Sequence, residues 1–160
     1  MRKLKACCFS GHGSKKLTKS EKWIAEEITK AIDKAILDGF TIFYHGACDG
    51  VDLIAAEQVI LKRTDSNNIR LIAVIPYEGQ ANKWNEHWRE RYFNVLEKCD
   101  DVITLHTKYI QGCYHERNRY MVDRSNRLIA IYDGSSLGGT RNTIKYAEKQ
   151  GVEQHIITIK

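Results

Sequence analysis

Three glycine-rich segments carry the residue types best suited to binding a small anionic ligand. They span residues 10–15, 45–52 and 133–140, and each stands between a strand-like run and a helix-like period. Glycine lets the backbone approach a ligand closely, and the helix start that follows presents unpaired N–H groups at its positive dipole end. The segments therefore predict phosphate-binding loops. Their candidate ligand contacts are Gly11, His12, Gly13, Gly46, Ala47, Asp49, Gly134, Gly138, Gly139 and Thr140.

The spacing of the first loop excludes two familiar nucleotide motifs. A dinucleotide fingerprint that begins with Gly11-His12-Gly13 would need glycine at position 16, which holds Lys16, and the Walker A spacing is absent as well. NAD-dependent redox chemistry and P-loop hydrolysis of nucleoside triphosphates are therefore disfavoured. A plain tight turn is the alternative explanation for each glycine-rich segment taken alone.

Two further groups of side chains offer ligand contacts near these loops. Arg117 falls in the first turn of a predicted helix, where its guanidinium would clamp a phosphate at the mouth of the crevice. Arg119 and Arg124 lie on the same helix, and solvated surface charge is the alternative for them. A group of aromatic residues follows the third strand and would stack on a base, while the helical spacing of Trp84 and Trp88 makes the core the alternative for these two. This group consists of Tyr77, Trp84, His87 and Trp88.

The elements that must position these loops alternate regularly between strand and helix. Apolar runs predict strands over residues 4–9, 41–44, 69–75, 102–105, 128–132 and 155–159. A capping box from Thr18 to Glu21 predicts the start of a helix that ends before Gly39, and further helices are expected over 51–63, 82–98, 114–125 and 140–150. This alternation predicts an α/β fold with a doubly wound, mostly parallel, Rossmann-like sheet, whose ligands bind beyond the carboxyl ends of the strands.

Length and composition are those of one globular domain over residues 1–160. Hydrophobic residues make up 42% and charged residues 28% of the chain, as in an ordinary folded protein. The longest apolar runs are far shorter than the roughly 20 residues that a membrane helix needs, and no signal-peptide core follows the first residues. These features predict a cytoplasmic protein without membrane contact.

Charge and cysteine content narrow the classes of ligand. The formal net charge is +5, and seven of the Lys and Arg residues lie within residues 1–22. This basic segment would meet phosphate or nucleic acid, or is a solvated surface. The five cysteines include no CxxC pair, which indicates reduced thiols and no metal site. No cofactor is expected.

Four ordered motifs lie along the chain, and the resemblance that they carry covers nearly its whole length. They begin with His45-Gly46-Ala47-Cys48-Asp49-Gly50, Ile75-Pro76-Tyr77-Glu78-Gly79-Gln80, Arg117-Asn118-Arg119-Tyr120 and Gly138-Gly139-Thr140. These motifs resemble the YpsA-like family of the SLOG superfamily, which also contains the DprA/Smf DNA-processing proteins and the LOG phosphoribohydrolases. The resemblance implies a Rossmann-like domain that binds a nucleotide or a nucleotide-derived ligand of the cyclic-nucleotide or ADP-ribose type. It implies ligand contacts at Gly11, Gly46, Asp52, Arg117, Asn118, Gly138, Gly139 and Thr140.

The chain departs from the LOG pattern at the last motif. LOG enzymes carry a glutamate shortly after the glycine-rich helix start, whereas here no acidic residue follows Thr140 before Glu148. Asp52, Asp123 or Asp133 would have to supply the carboxylate for cleaving a glycosidic bond.

Three hypotheses follow, in order of preference. The first is a nucleotide sensor or sequestering protein, the second a LOG-like hydrolase of nucleotide N-glycosidic bonds, and the third a DprA-like binder of single-stranded nucleic acid. No catalytic residue is assigned. A homodimer paired through the outer helices is a further expectation.

Overall fold

The computed structural model describes residues 4–135 and 137–159, along which strands alternate with helices. The strands are β1 (Lys5–Ser10), β2 (Phe40–His45), β3 (Arg70–Ile75), β4 (Asp101–Thr104), β5 (Arg127–Tyr132) and β6 (Glu153–Thr158). The helices are α1 (Glu21–Leu37), α2 (Val51–Lys62), α3 (Glu86–Lys98), α4 (Cys113–Asp123) and α5 (Gly139–Lys149), and a short 3₁₀ turn, Ser14–Lys16, follows β1.

The six strands form one sheet in the order β4-β3-β2-β1-β5-β6, and every neighbouring pair is parallel. In the centre of the sheet, Cys8 of β1 stands opposite Tyr44 of β2 on one side and Leu128 of β5 on the other. The chain proceeds from β1 to β4 in one direction and then crosses to the far side of β1 for β5 and β6. The strand order therefore reverses between β1 and β5, and the predicted doubly wound, Rossmann-like fold is confirmed.

Helices cover both faces of the sheet because successive strand residues point to opposite sides. Phe9 belongs to a large core that β-strand residues share with α1, α2 and α3, whereas its neighbour Cys8 belongs to a smaller core under α4 and α5. In the larger core, Phe9 stacks on Phe43 with 6.1 Å between ring centroids. Burial on both faces explains the nearly continuous apolar runs of β1, β3 and β5, whereas the edge strands β4 and β6 are largely exposed or half-buried.

Helix starts differ from the sequence prediction in two places. The side chain of Ser20, and not that of Thr18, caps α1 by accepting a hydrogen bond from the backbone N–H of Trp23 at 3.1 Å. Helix α3 begins at Glu86 instead of residue 82, because Asn85 caps it in the same way. No helix within the described ranges is long and apolar enough to span a bilayer.

Candidate functional site

The loop after β1 packs directly on the loop that leads into α2. The backbone N–H of Val51, the first residue of α2, donates to the carbonyl of His12 at 3.2 Å. The Ser14 hydroxyl donates to the Asp49 carboxylate. Gly50 has a φ of +99°, and a Cβ there would lie 2.6 Å from the His12 carbonyl oxygen, so glycine is required at this position. The first two glycine-rich loops therefore form one contiguous surface.

The same first loop also contacts the loop after β5. His12 Nε2 lies 2.9 Å from Asp133 Oδ2. Hydrogen bonds from Ser135 and from His12 lower the pKa of Asp133 to about 2, so this carboxylate is ionised at neutral pH. These contacts lie at the carboxyl ends of β1 and β5, where the strand order reverses. The structure thus brings all three glycine-rich loops to one edge of the sheet.

The start of α5 is the most open of the helix ends in this region. Gly138 occupies the N-cap with a φ of +114°, no side chain caps the helix, and its first turn holds no acidic residue. Gly138 and Gly139 are exposed, whereas Thr140 is buried. Nearby, Arg141 donates to the Tyr132 hydroxyl at 3.3 Å. Exposed N–H groups at a positive helix end, beside an arginine, are suited to holding an anion.

A buried polar cluster lies behind the second loop. Arg117 Nη1 donates to the Gly46 carbonyl at 2.6 Å, and Arg117 Nε donates to Asn118 Oδ1 at 2.8 Å. Asp52 sits beside the same guanidinium and is 6% exposed. Burial raises the pKa of Asp52 to about 6, although Arg117 and the backbone of Cys48 and Gly46 act in the opposite direction. The carboxyl group of Asp52 therefore titrates close to neutral pH.

The position of Arg117 differs from the sequence prediction, which placed it at the mouth of the crevice. The side chain is only 4% exposed, because the guanidinium satisfies the Gly46 carbonyl where β2 has ended. A Cβ on Gly46 would lie 2.3 Å from Arg117 Nη1, so glycine is needed here for the close approach of the guanidinium. Arg117 would therefore contribute to a ligand site by fixing the second glycine-rich loop and by placing a positive charge beneath it.

His45 is a residue that the sequence analysis missed. Its side chain is fully buried, and its Nδ1 accepts a hydrogen bond from the Ala47 N–H at 3.0 Å. Burial, followed by the charge of Arg117, lowers the pKa of His45 to about 3, so the ring is neutral. The proton therefore lies on Nε2, which is 3.4 Å from Cys99 Sγ. The bond to Ala47, whose φ is +54°, shapes the second loop. The sequence signal that could have identified His45 is a histidine directly before a glycine at the end of a strand.

The predicted site residues fall into three groups. One set belongs to the contacting loops: Gly11, His12, Gly13, Gly46, Ala47, Asp49, Asp52 and Asp133. A second set belongs to the loop that leads into α5 and to the first turn of this helix: Gly134, Gly138, Gly139 and Thr140. Arg117 and Asn118 come from α4, and Asn118 lies in a groove between α4 and α5.

This groove between α4 and α5 has a volume of about 470 Å³ and a basic lining. Its basic side chains are His115, Arg119, Lys145 and Lys149. Arg119 lies over the Tyr146 ring at 5.0 Å, and the Tyr146 hydroxyl donates to Asp123 at 2.6 Å.

A second cavity, of about 670 Å³, lies beyond the carboxyl ends of β3 and β4. Trp84 lines it and packs edge-on against Tyr92 at 5.4 Å, whereas Trp88 is a core residue at 8% exposure. The prediction that these aromatic residues belong to the core is thus right for Trp88, while Trp84 also borders open space. His87 lies elsewhere, 3.2 Å from Arg91.

The cysteines and the basic amino-terminal segment complete the sequence-based candidates. All five cysteines are free thiols, and burial raises the pKa of Cys8 to about 12. Within residues 4–135 and 137–159, no group of three or more His, Cys, Asp or Glu side chains is arranged to hold a metal ion. Lys15 and Lys16 are exposed next to the first loop, and Arg2 and Lys3 lie outside the described residues.

Two curated proteins are similar to this chain in sequence. UPF0398 protein BH1768 of Halalkalibacterium halodurans is 30% identical over 129 residues, covering 77% of this chain and 68% of that protein. UPF0398 protein SaurJH9_1506 of Staphylococcus aureus is 31% identical over 87 residues, and the match covers 52% of this chain and about half, 46%, of the relative.

Two solved structures share the architecture at low sequence identity. The X-ray structure of TM1055 aligns over 94% of this chain and 72% of its own, with a TM-score of 0.58 and 12% identity. The Chlamydomonas rheinhardtii Moco carrier protein aligns over 98% of this chain and 78% of its own, with a TM-score of 0.57 and 17% identity. The family model described as the YspA SLOG family matches residues 7–160, and the chain therefore belongs to this family.

Proposed function

We propose that this protein binds a nucleotide or a nucleotide-derived ligand, of the cyclic-nucleotide or ADP-ribose type, as a sensor or sequestering protein. The observation that carries the proposal is the convergence of three glycine-rich loops at the point where the strand order reverses. Family membership and the likeness to a Moco carrier protein are consistent with a small-molecule site in this fold.

The loops divide into an anion-binding part and a hydroxyl-binding part. At the start of α5, the exposed backbone of Gly138 and Gly139 offers N–H groups to a phosphate, with no acidic side chain in that turn. In the other part, Asp49 and Asp133 offer carboxylates, which can accept hydrogen bonds from ribose hydroxyls. His12 joins the first loop to the third through its contact with Asp133.

Calorimetry of the purified protein against a panel of nucleoside phosphates tests this proposal. The variant Gly139→Asp places a negative charge at the α5 start, where a Cβ meets no atom within 4 Å, so the fold is preserved. We expect this variant to bind nucleotides at least about fivefold more weakly, because the new carboxylate repels the phosphate. The same carboxylate interacts favourably with the positive end of the α5 dipole, so the helix itself is not destabilised. Gly139→Asn is the matched neutral control and should bind like wild type. Absence of heat with every nucleotide at millimolar concentration would refute the proposal.

A hydrolase acting on nucleotide N-glycosidic bonds is the second candidate, and the environment of Asp52 favours it. A carboxyl group whose pKa is about 6 exchanges protons near neutral pH, as general acid–base chemistry requires. Incubation with nucleoside monophosphates should then release free base, and Asp52→Asn should abolish the release. If no base appears with any substrate, this candidate is eliminated.

A single-strand nucleic-acid binder is the third candidate, and the basic groove between α4 and α5 favours it. Arg119, Lys145 and Lys149 line this groove without an intervening carboxylate among its lining residues. Binding of an oligonucleotide should weaken steeply as salt rises, because phosphate contacts release counterions. A gel shift that is absent or insensitive to salt would argue against this function.

A homodimer paired through the outer helices stays a prediction, which sedimentation analysis of the purified protein can test.

A further inference from the structure

The cavity beyond β3 and β4 has an unusually aromatic wall. Four rings line it, those of Tyr77, Trp84, Tyr109 and Tyr114. Tyr77 packs edge-on against Tyr109 at 5.6 Å and against Tyr114 at 6.1 Å, which holds the three tyrosines as one cluster. Tyr109 nevertheless remains 59% exposed. Aromatic faces that border open space offer a stacking surface for a flat ring.

The polar lining of this cavity includes two lysine donors and a buried amide oxygen without a partner among the described residues. Lys83, Lys108 and Asn82 line it, and no carboxylate belongs to its lining. Gln80 is 3% exposed, and its Oε1 has no hydrogen-bond partner within the described ranges. A buried unpaired amide oxygen is costly, and an N–H group of a ligand that reached it would relieve this cost.

The cavity adjoins the glycine-rich loops through a shared carbonyl. Gln80 Nε2 donates to the Gly46 carbonyl at 3.4 Å, and Arg117, which donates to the same oxygen at 2.6 Å, lies over the Tyr114 ring at 5.6 Å. Strands stand about 4.8 Å apart, so β3 lies about 10 Å from β1 along the same edge. One extended ligand can therefore reach both regions.

We propose that the aromatic cavity binds a planar nitrogen heterocycle, the base of the nucleotide, by stacking on the exposed face of Tyr109 and beside Trp84. This inference deepens the proposed function and rests on it. Lys83 and Lys108 supply donors for ring acceptors or carbonyl groups, and Gln80 supplies an acceptor for an N–H. The combination matches a nucleobase edge, which carries both kinds of group.

Quenching of tryptophan fluorescence by nucleosides that lack phosphate tests the base site by itself. Titration with adenosine, guanosine, cytidine and uridine should quench the emission with at least one of them. The response should disappear in Trp84→Phe and persist in Trp23→Phe, since Trp23 lies on α1 and is not a lining residue. Tyr109→Ala should weaken binding about 5- to 150-fold, the usual range for removing one stacking partner.

The control for Tyr109→Ala is Phe93→Ala, which removes an equally exposed aromatic ring from α3, outside the cavity. It should leave the affinity for nucleosides unchanged. The base site is refuted if no nucleoside quenches Trp84 fluorescence, or if Tyr109→Ala and Phe93→Ala bind nucleosides with the same affinity. Binding of inorganic pyrophosphate would still support the site at the glycine-rich loops in that case. Conversely, nucleoside binding that depends on Tyr109, with nucleotide affinity insensitive to Gly139→Asp, would keep the base site and refute the phosphate site.

Discussion

Replacing Gly46 by alanine should destabilise the protein strongly, because the new Cβ would occupy space that a buried guanidinium needs. The Cβ would lie 2.3 Å from Arg117 Nη1, 2.5 Å from Cζ and 2.8 Å from Asp52 Oδ2. Arg117 would have to move, and its 2.6 Å hydrogen bond to the Gly46 carbonyl would be lost. The backbone at Gly46 is not in the left-handed region, so the effect would come from this overlap alone.

The magnitude follows from two contributions. Overpacking of a tight site costs about 1–3 kcal/mol, and loss of a buried hydrogen bond from a charged donor costs about 1.5–3 kcal/mol. Together they lower the free energy of unfolding by roughly 3–6 kcal/mol. With a urea dependence of about 2 kcal/mol per molar, the unfolding midpoint should fall by roughly 1–3 M.

Urea denaturation followed by circular dichroism measures this midpoint. Gly139→Ala is the matched control, because it is the same substitution at a non-positive φ with no atom within 4 Å of the new Cβ. It should be neutral or stabilising by up to about 1 kcal/mol. In an Arg117→Met background, Gly46→Ala should cost much less than in wild type, since the group that it displaces is gone. Equal midpoints for Gly46→Ala and Gly139→Ala would refute the reasoning.

Three further predictions concern stability. Ser20→Ala should cost about 1 kcal/mol and Thr18→Ala almost nothing in urea titrations, because Ser20 alone caps α1. His45 has a folded pKa of about 3, below its unfolded value of 6.5, so its contribution should be lost as pH falls from 6.5 towards 3. His45→Asn should reduce that acid sensitivity, whereas His115→Asn at an exposed position should not. Asp52 has a folded pKa of about 6, above its unfolded value of 3.8, so Asp52→Asn should gain stability relative to wild type, by about 3 kcal/mol, as pH rises from 4 to 6.

Much of the fold was predictable because it depends on short-range patterns. Continuous apolar runs such as residues 71–75 identify strands buried on both faces, and glycines after those runs mark the loops at the carboxyl edge. Crossover helices force the strands to be parallel, which brings the loops to one edge without any knowledge of side-chain contacts. Helix starts were less predictable, since Thr18 and Ser20 are both chemically able to cap α1 and only the local backbone selects Ser20.

The candidate site was predictable at the level of loops but not at the level of side chains. The contact of His12 with Asp133 joins residues 121 positions apart, and its existence depends on how β1 and β5 are aligned. The sequence placed Arg117 in a first helical turn, yet the rotation of α4 sends its guanidinium inward to the Gly46 carbonyl.

The amino-acid pattern by itself determined the alternation of elements, the parallel sheet and the edge at which the loops meet, because periodic burial and chain connectivity permit few other arrangements. Tertiary structure alone decided which polar groups face the open crevice and which are buried beneath it. It also decided that Tyr77, Tyr109 and Tyr114 line one cavity. Such details depend on helix rotation and strand register, and these are set by the packing of the whole core.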